Sequence, residues 1–559
     1  MHDMNRDVAR HLRLLGELLE ISGKEPYKIR AYYRAADTIS RLASPVDDMD
    51  EARLTDLPGI GENIARKVIE YVKTGAIHEL TELEESVPSG LVGMLDLDGV
   101  GPKTIHALWT KMGIEDIAML EKAAKNRRLR ALHGFGPKKE EAIIQAVAGY
   151  RRKTSRMTRK EAEELIGRIE PAFPGKNFTV AGSFRRGRST IGDIDIVSTE
   201  APARTNALLQ EVADEIIDQG ERKTSFSIGD RRVDVRFCTP AFAGTMLLYL
   251  TGSKQFNIKM REIALSRGEK LNEYGIEDRE EGRTYTFPDE ASVFSFLGMD
   301  YIPPELREDQ GEIEHARRHT LPELVRETDI RGDLHMHSSW SDGALSIAEL
   351  ARLGEERGYE YIACTDHSAS LGVAHGLDAA RLAKQHHEIE MSNRSHSCRI
   401  LAGIEVDILG DGSLGLSGPV LADCDLVIAS VHSGFKQDRD VMTRRILSAM
   451  ENEHVDIIGH PTGRLLGKRE AYLVDMERII SAAADTGTAL EINASPYRLD
   501  LDDIYVREAH DHGVMLSIGT DAHTREEAAA IRFGVGIARR GWCGKQDILN
   551  TRPFKGFFT

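Results

Sequence analysis

The sequence predicts a multidomain protein: all-α at its N-terminus, α+β in its middle, and an αβ distorted barrel at its C-terminus. Three observations predict this. Up to about residue 150, helical periods are joined by short Gly turns and strand-like alternation is scarce. From about residue 176, the alternating runs FTVAG (178–182), DIDIV (193–197) and RRVDVRF (231–237) stand among helical segments at 159–170 and 203–218. From Asp329, the β-rich runs YIACTDH, RILAGIEVDI, DLVIASVH, VDIIGH, TALEINAS and MLSIGTDAH alternate with helical stretches, and repeated βα units call for a parallel sheet.

With 559 residues the chain is too long for one core. Hydrophobic residues at 41% and charged residues at 29% are ordinary for soluble globular protein. No stretch approaches the ~20 apolar residues of a membrane span. The N-terminus mixes Asp, Arg and Glu into a helical period, which argues against a signal peptide. Cys238, Cys364, Cys398, Cys424 and Cys543 are scattered without a C-x-x-C pair, so a disulfide framework or a cysteine zinc site is not expected and a reducing cytoplasm fits. The net charge of -17 is unevenly spread. Between Lys122 and Lys160, basic residues including Arg127, Arg128, Arg130, Lys138, Lys139, Arg151, Arg152, Lys153, Arg156 and Arg159 face only Glu140 and Glu141. Such a stripe suits phosphate contact, or is a solvated helical face.

The all-α part carries an internal repeat. LPGIGENIARKVIEYV (57–72), LDGVGPKTIHALW (97–109) and LHGFGPKKEEAIIQAV (132–147) each read Leu, one residue, Gly, apolar, Gly, then a helix. The pairs Gly59 and Gly61, Gly99 and Gly101, and Gly134 and Gly136 permit a tight turn into a helix whose first N–H groups can meet a DNA phosphate without reading bases. This is the helix-hairpin-helix pattern, and three copies make plain helix–helix turns a poor account of it.

The middle segment holds a first chemical site. In GSFRRGRSTIGDID (182–195), Asp193 and Asp195 lie two apart on a strand, their carboxylates on one face ~7 Å apart. Asp234 sits in a second strand, RRVDVRF. Three carboxylates on adjacent strands can hold two divalent ions for an in-line displacement at phosphorus. Gly182-Ser183 offers a turn and a hydroxyl to phosphate oxygens, and Arg186 fixed positive charge. Over residues 1–300 the chain resembles family X DNA polymerases such as DNA polymerase beta, in GSFRRG, GDID, RRVDVRF and LYLTGSKQFNIKMREIALSRGEKLNEYGI (248–276). The resemblance implies a nucleotidyltransferase palm with a thumb. It implies Asp193, Asp195 and Asp234 as ligands of Mg2+ or Mn2+, and Ser183, Arg186 and Gly192 as triphosphate contacts. Tyr249 and Gly252 would lie near the sugar, and Asn257 and Arg261 near the nascent base pair. The family commonly has an aromatic residue where Leu250 stands, which leaves discrimination against ribonucleotides open. The resemblance also implies a lyase: Lys67 would attack an abasic sugar through a Schiff base, with Lys28 and Tyr32 in its phosphate pocket and Asn63 at a position that is basic in the family.

The C-terminal part holds a second site. DLHMHSSWSDG (333–343) carries His335, His337 and Asp342; then come His367, Glu405, His432, His460, Asp521 and His523, nearly all at the end of an apolar run. Strand C-termini in an αβ barrel converge at one end, and a His/carboxylate set without cysteine suits zinc, manganese or iron. This pattern resembles the polymerase and histidinol phosphatase (PHP) domain over 329–559. That resemblance implies up to three ions, Mn2+ or Zn2+: one on His335, His337, Glu405 and Asp521, one on Glu405, His432 and His460, and one on Asp342, His367 and His523. Arg464 and Lys468 are candidates for binding substrate phosphate.

The joined architecture resembles the bacterial PolX family over nearly the whole chain. The implied domains are a lyase-like helical domain at 1–78, helix-hairpin-helix fingers at 79–156, a palm at 157–240, a thumb at 241–305 and the PHP domain at 329–559; between the halves the polar stretch PPELREDQGEIEHARRH (303–319) reads as a linker or an exposed helix, and 306–328 is assigned as the linker. The implied function is gap-filling DNA synthesis in repair with a 3′-to-5′ exonuclease, and abasic-site endonuclease activity as a further candidate. The partners would be gapped, nicked or 3′-recessed duplex DNA and dNTPs, for a monomer in the cytoplasm associated with the nucleoid. Competing readings are a repair nuclease with a non-catalytic polymerase module, a scaffold for DNA ends, and a small-molecule phosphatase. Packing so many carboxylates together without cations is costly, which disfavours the scaffold.

Overall fold

The computed structural model describes residues 3–556 apart from 24, 25, 41, 43, 98, 133 and 155, with the backbone alone at 3, 6, 26, 48, 85, 148, 149, 151–154 and 556. The side chains of Arg151, Arg152 and Lys153 in the basic stripe therefore lie outside the described residues. The chain divides into two compact units, Met1–Ser155 and Arg156–Thr559. Among the described residues no helix is long and apolar enough to cross a membrane, and all five cysteines are free thiols.

The described residues of the first unit form helices joined by turns and short irregular segments, with no strand among them. One continuous core runs from Val8 to Val147, so the two predicted helical domains share a single apolar interior. The His106 ring, on the helix Pro102–Met112, lies 2.7 Å from the Ile21 carbonyl at the end of the helix Asp3–Ile21. The three repeats fold alike. In each, the apolar residue between the glycines donates its N–H back to the leucine: Ile60 to Leu57 at 3.1 Å, Val100 to Leu97 at 3.0 Å, and Phe135 to Leu132 at 3.0 Å. Ile60, Val100 and Phe135 are buried and anchor each turn. The first glycine of each pair has positive φ, and the second opens the following helix.

The second unit begins with a five-stranded sheet: β1 (Phe178–Val180), β2 (Ile194–Ser198), β3 (Glu215–Gln219), β4 (Lys223–Ile228) and β5 (Arg231–Phe237), in the order β1-β2-β5-β4-β3. β2 and β5 run parallel, with Asp195 directly opposite Asp234. The helix expected over 203–218 is shorter, Pro202–Val212, and its last residues are strand β3. β3 is a largely exposed edge strand, and β4 (KTSFSI) buries Thr224, Ser225 and Ser227, so neither shows the apolar alternation that marks a strand. Next come the helices Ala243–Thr251 and Lys254–Ser266 and a three-stranded antiparallel sheet.

Residues 306–328 are not a linker. Leu306, Ile313, Ala316 and Leu324 complete the core of this thumb region. The segment reads as polar because its charges are buried and used. Arg307 is fully buried, bonds Glu290 at 2.5 Å and lies over the rings of Phe256, Phe294 and Tyr301. Glu312, also buried, accepts the N–H groups of Asp309 and Gln310 at 2.8 and 2.7 Å.

Seven parallel strands follow: β6 (Gly332–Met336), β7 (Tyr361–Cys364), β8 (Arg399–Asp407), β9 (Leu426–Ser430), β10 (Ile457–Ile458), β11 (Ala489–Asn493) and β12 (Leu516–Gly519), each paired with the next. The ends nearly close on each other. Met336 bridges Ala522, His337 N donates to Ala522 O at 3.0 Å, and Asp521 N donates to His335 O at 2.9 Å. This is the expected distorted barrel.

Candidate metal centres

In the palm sheet, register brings Asp195 and Asp234 side by side, and Asp193 precedes β2 in an exposed turn. Burial raises the Asp195 carboxyl to about 7, with the charges of Asp193 and Asp234 adding to it. Burial also pushes Asp234 upward, but the Ser225 hydroxyl and Arg232 outweigh that and hold it below the usual range. Arg232 Nε is 3.1 Å and Lys223 Nζ 3.6 Å from the Asp234 carboxylate. Gly182 (φ 60°) backs the site: a Cβ there would lie 2.5 Å from Asp195 Oδ2. A carboxylate beside two like charges has the chemistry to take a divalent cation, but among the described residues the three carboxylates are not one of the groups whose ligand atoms lie within 4.8 Å of one another, and Asp234 is engaged by Ser225, Arg232 and Lys223.

Of the predicted nucleotide contacts, Arg186 acts on this trio, its charge lowering the Asp195 carboxyl. Arg186 is held between Glu308 (3.0 Å) and the Thr251 carbonyl (2.8 Å), so a triphosphate would have to compete with Glu308 for it. Gly192 lies against Arg156, a Cβ there coming 3.3 Å from the guanidinium. The charges of Arg188 and Arg186 reinforce burial in lowering the Arg156 pKa. Arg156 was read only as part of the basic stripe, and Arg188 was not singled out, although it continues the GSFRRG run. Ser183 is half-buried beside Gly182. Tyr249, Gly252, Asn257 and Arg261 come together: Asn257 donates to Tyr249 O at 2.7 Å, Arg261 donates to Asn257 O at 3.1 Å, and a Cβ on Gly252 would meet Asn257 at 2.7 Å. Leu250 packs with Ala181, Val197 and Met246.

In the barrel, His335, His337, Asp342, His367, Glu405, His432, His460, Asp521 and His523 all gather at the C-terminal ends of the strands. Glu405 is fully buried at the centre of the set. Its Oε1 lies 3.2 Å from His432 Nε2 and 3.1 Å from His460 Nε2. Its Oε2 lies 3.5 Å from His335 Nε2, 3.8 Å from His337 Nε2 and 2.8 Å from His367 Nδ1. His337 Nε2 also lies 3.1 Å from Asp521 Oδ1, and Asp342 Oδ1 lies 3.3 and 3.8 Å from His523 and His367. Three groups have ligand atoms close enough to share an ion: His335, His337 and Asp521; His367, Glu405 and His432; and His337, Asp342, His367 and His523. His335 Nε2 and Glu405 Oε2 are buried without a hydrogen-bond partner, an expensive arrangement that a cation would relieve. The residues therefore fit a polynuclear metal centre. His460 (φ 28°) and Asp521 (φ 53°) are also held in backbone conformations rare for side-chain-bearing residues.

The charges balance locally. Burial pushes the Glu405 carboxyl up, but His432, His367 and His335 outweigh it and hold Glu405 well below the usual range. Burial lowers His337 to about 4. Against burial, neighbouring carboxylates raise His432 to about 10 and His523 to about 9.

A supporting layer was missed in the sequence. His335 Nδ1 is 2.6 Å from Glu491 Oε1, while Glu491 Oε2 accepts His460 N at 2.6 Å. His432 Nδ1 is 2.9 Å from Asp407, and Asn493 donates to Asp521 at 3.1 Å. Such partners aim the opposite ring nitrogen at a metal. Arg464, a candidate for substrate phosphate, is instead bound to Asp502 at 3.2 Å and the Arg498 carbonyl at 3.0 Å. Lys468 remains exposed.

In the helical unit, Lys67 Nζ pairs with Glu79 at 2.6 Å, and Tyr32 donates to the same carboxylate at 3.1 Å. One pocket is lined by Lys28, Lys67 and Glu79, and an adjoining one by Lys28, Tyr32, Gly61 and Asn63. A Cβ at Gly61, Gly101 or Gly136 would meet nothing within 4 Å, so space is left for an outside group to approach the backbone.

Five stretches match known family descriptions: helix-hairpin-helix domain over 3–77, SAM-like helix-hairpin-helix tandem over 92–148, DNA polymerase beta palm over 156–240, DNA polymerase beta thumb over 246–308, and PHP domain over 333–495. The chain is 40% identical to the DNA polymerase/3'-5' exonuclease PolX of Bacillus subtilis (strain 168), over 98% of each chain. It is 26% identical to DNA polymerase lambda of Rattus norvegicus over 54% of this chain and 56% of the relative. It is 31% identical to a probable phosphatase of Thermoanaerobacter sp. (strain X514) over 39% of this chain and 89% of the relative.

Proposed function

The chain belongs to the PolX family, and we propose that it fills short gaps in duplex DNA at its palm centre and trims 3′ ends at its histidine-rich centre. It is a family X DNA polymerase with a PHP-domain 3′-to-5′ exonuclease, it depends on divalent metal, and it binds DNA. Asp193, Asp195 and Asp234 would hold Mg2+ or Mn2+. The nine barrel ligands would hold up to three ions of Mn2+ or Zn2+, with Glu405 shared between two of them. When bound, these ions activate the attacking oxygen and stabilise the charge that develops on the departing one.

The chain's own residues do the rest. Arg186, Arg188 and Arg156 place positive charge where the triphosphate of a dNTP would lie. Tyr249 and Asn257 set the floor beneath the sugar and base. Glu491 and Asp407 hold the His335 and His432 rings in orientation. The helix-hairpin-helix turns grip the phosphates of gapped, nicked or 3′-recessed duplex without reading sequence. The observation that supports this reading is that one chain carries two separate gatherings of residues whose chemistry suits divalent ions, Asp195 opposite Asp234 in the palm sheet and the histidines around Glu405 in the barrel.

Paired variants test it. Asp193→Ala with Asp195→Ala should abolish primer extension on gapped DNA and leave exonuclease activity. His335→Ala with His337→Ala should do the reverse. A pair that kept the activity it should lose would overturn that centre's assignment, and survival of the nuclease alone in wild type would favour a non-catalytic polymerase module. The placing of Lys67 with Lys28 and Tyr32 around one carboxylate favours a third activity, Schiff-base attack on an abasic sugar once the Glu79 pair opens. Borohydride trapping of a covalent DNA adduct in wild type, lost in Lys67→Ala, tests it.

A further inference from the structure

The cleft that reaches the histidine-rich centre is not walled by the barrel alone. Its volume is about 360 Å³, and Asp521 and His523 lie at its floor. Lys468, Tyr497 and Arg498 line it from the barrel, and Lys160, on the palm helix Arg159–Ile169, lines it from the other side. Tyr497 is 42% exposed. Lys160 Nζ lies 6.0 Å and Lys468 Nζ 5.9 Å from the centre of its ring. Arg498 is engaged by Asp521 at 3.4 Å.

The palm helix is fastened in this position. Arg532, on the barrel helix Ile531–Arg540, pairs at 2.6 Å with Glu163, three residues from Lys160 on the same helix. Arg159, next to Lys160, lies 5.6 Å from the Phe533 ring. Lys160 is therefore held at the cleft by an interface between palm and barrel, and none of the polymerase contacts described above uses it.

We propose that Tyr497, Lys160 and Lys468 seat the 3′-terminal nucleotides of the strand to be cut, so that the palm supplies part of the nuclease's substrate specificity. This rests on the nuclease reading and goes beyond it. An exonuclease must accept every base, and an exposed aromatic ring offers stacking that is indifferent to sequence. Lysines on both sides neutralise the flanking phosphates. A cleft of about this volume is of the size that takes a small-molecule-sized group such as one terminal nucleotide.

The test uses the full-length protein with Mn2+, a 3′-recessed duplex and, in parallel, para-nitrophenyl phosphate. Tyr497→Ala should raise KM for DNA about tenfold, within the range of one lost base stack, with a much smaller change for the monoester. Tyr497→Phe, which keeps the ring, should restore DNA binding. Lys160→Ala should raise KM for DNA more than it lowers kcat, and should reduce the slope of log affinity against log salt by about 0.7, one single-strand phosphate contact. Lys160→Arg should recover that slope. Arg478→Ala, on an outer barrel helix, is the control with both activities unchanged, and thermal melts report folding. DNA cutting by wild type with an unchanged KM in Tyr497→Ala and an unchanged salt slope in Lys160→Ala would overturn the proposal alone. A wild type that cuts no DNA would overturn the nuclease reading and the proposal with it.

Discussion

Replacing Glu491 by Gln should weaken metal binding in the barrel without touching any ligand. Glu491 is buried in β11 and faces His335 Nδ1 at one oxygen and the His460 backbone N–H at the other, each at 2.6 Å, with a longer bond from the Asn493 amide at 3.4 Å. A glutamine has one oxygen and one NH2. If the NH2 faces His335, Nδ1 must accept, the ring proton moves to Nε2, and the nitrogen aimed at the metal is blocked. If the NH2 faces His460, two donors meet and a buried N–H loses its acceptor, costing roughly 1–3 kcal/mol. Either arrangement also removes a negative charge beside His335. Loss of such a partner costs about 10–100-fold in metal affinity, which is roughly 1.4–2.8 kcal/mol. The assay is Mn2+ titration of exonuclease activity at fixed DNA, with primer extension measured on the same preparation. The half-saturating Mn2+ concentration should rise 10–100-fold while extension stays within twofold. An unchanged Mn2+ dependence would refute the role given to Glu491.

Gly182→Ala should strike the other centre. The left-handed backbone there costs an alanine roughly 1–2 kcal/mol, and its Cβ would displace the Asp195 carboxylate. Primer extension should fall about 100-fold with exonuclease retained; full extension activity would contradict the geometry. Asp195, raised to about 7 by burial and by Asp193 and Asp234, binds a cation only when ionised. Below that pH a proton competes, so the Mg2+ needed for half-maximal extension should climb up to about tenfold per pH unit and level off above it; a flat profile between pH 6 and 8 would contradict this. His432 and His523, held at about 10 and about 9, are protonated at pH 8 until an ion displaces the protons. Mn2+ binding calorimetry at pH 8 should therefore show heats that change with buffer ionisation enthalpy, and buffer-independent heats would exclude proton release.

The convergence of the barrel candidates was legible because nearly all of them close an apolar run, and a parallel barrel turns those ends toward one another. The palm trio was legible because Asp193, Asp195 and Asp234 interrupt short alternating strands. Glu491 was hidden because a single carboxylate inside TALEINAS looks the same whether it faces a ligand histidine or solvent. Asp407 was hidden behind Glu405, two residues earlier on β8. The segment 306–328 read as a linker because Arg307 and Glu312 are charged, yet both are buried with partners, which only tertiary contacts reveal. Strand β4 escaped for a related reason, since both its faces are buried and the hydroxyl side chains of Thr224, Ser225 and Ser227 stand among Phe226 and Ile228. Arg464 was a plausible phosphate ligand by position, and only its bonds to Asp502 and Arg498 show that it braces a loop.

The most direct measurement is anomalous diffraction at the manganese edge from crystals soaked in Mn2+. Ions should lie on both sides of Glu405, one against His432 and His460 and one against His335 and Asp521, with a further ion among Asp193, Asp195 and Asp234. No anomalous density at Glu405, or an aspartate trio still engaged with Arg232 and empty of metal, would contradict the account of that centre.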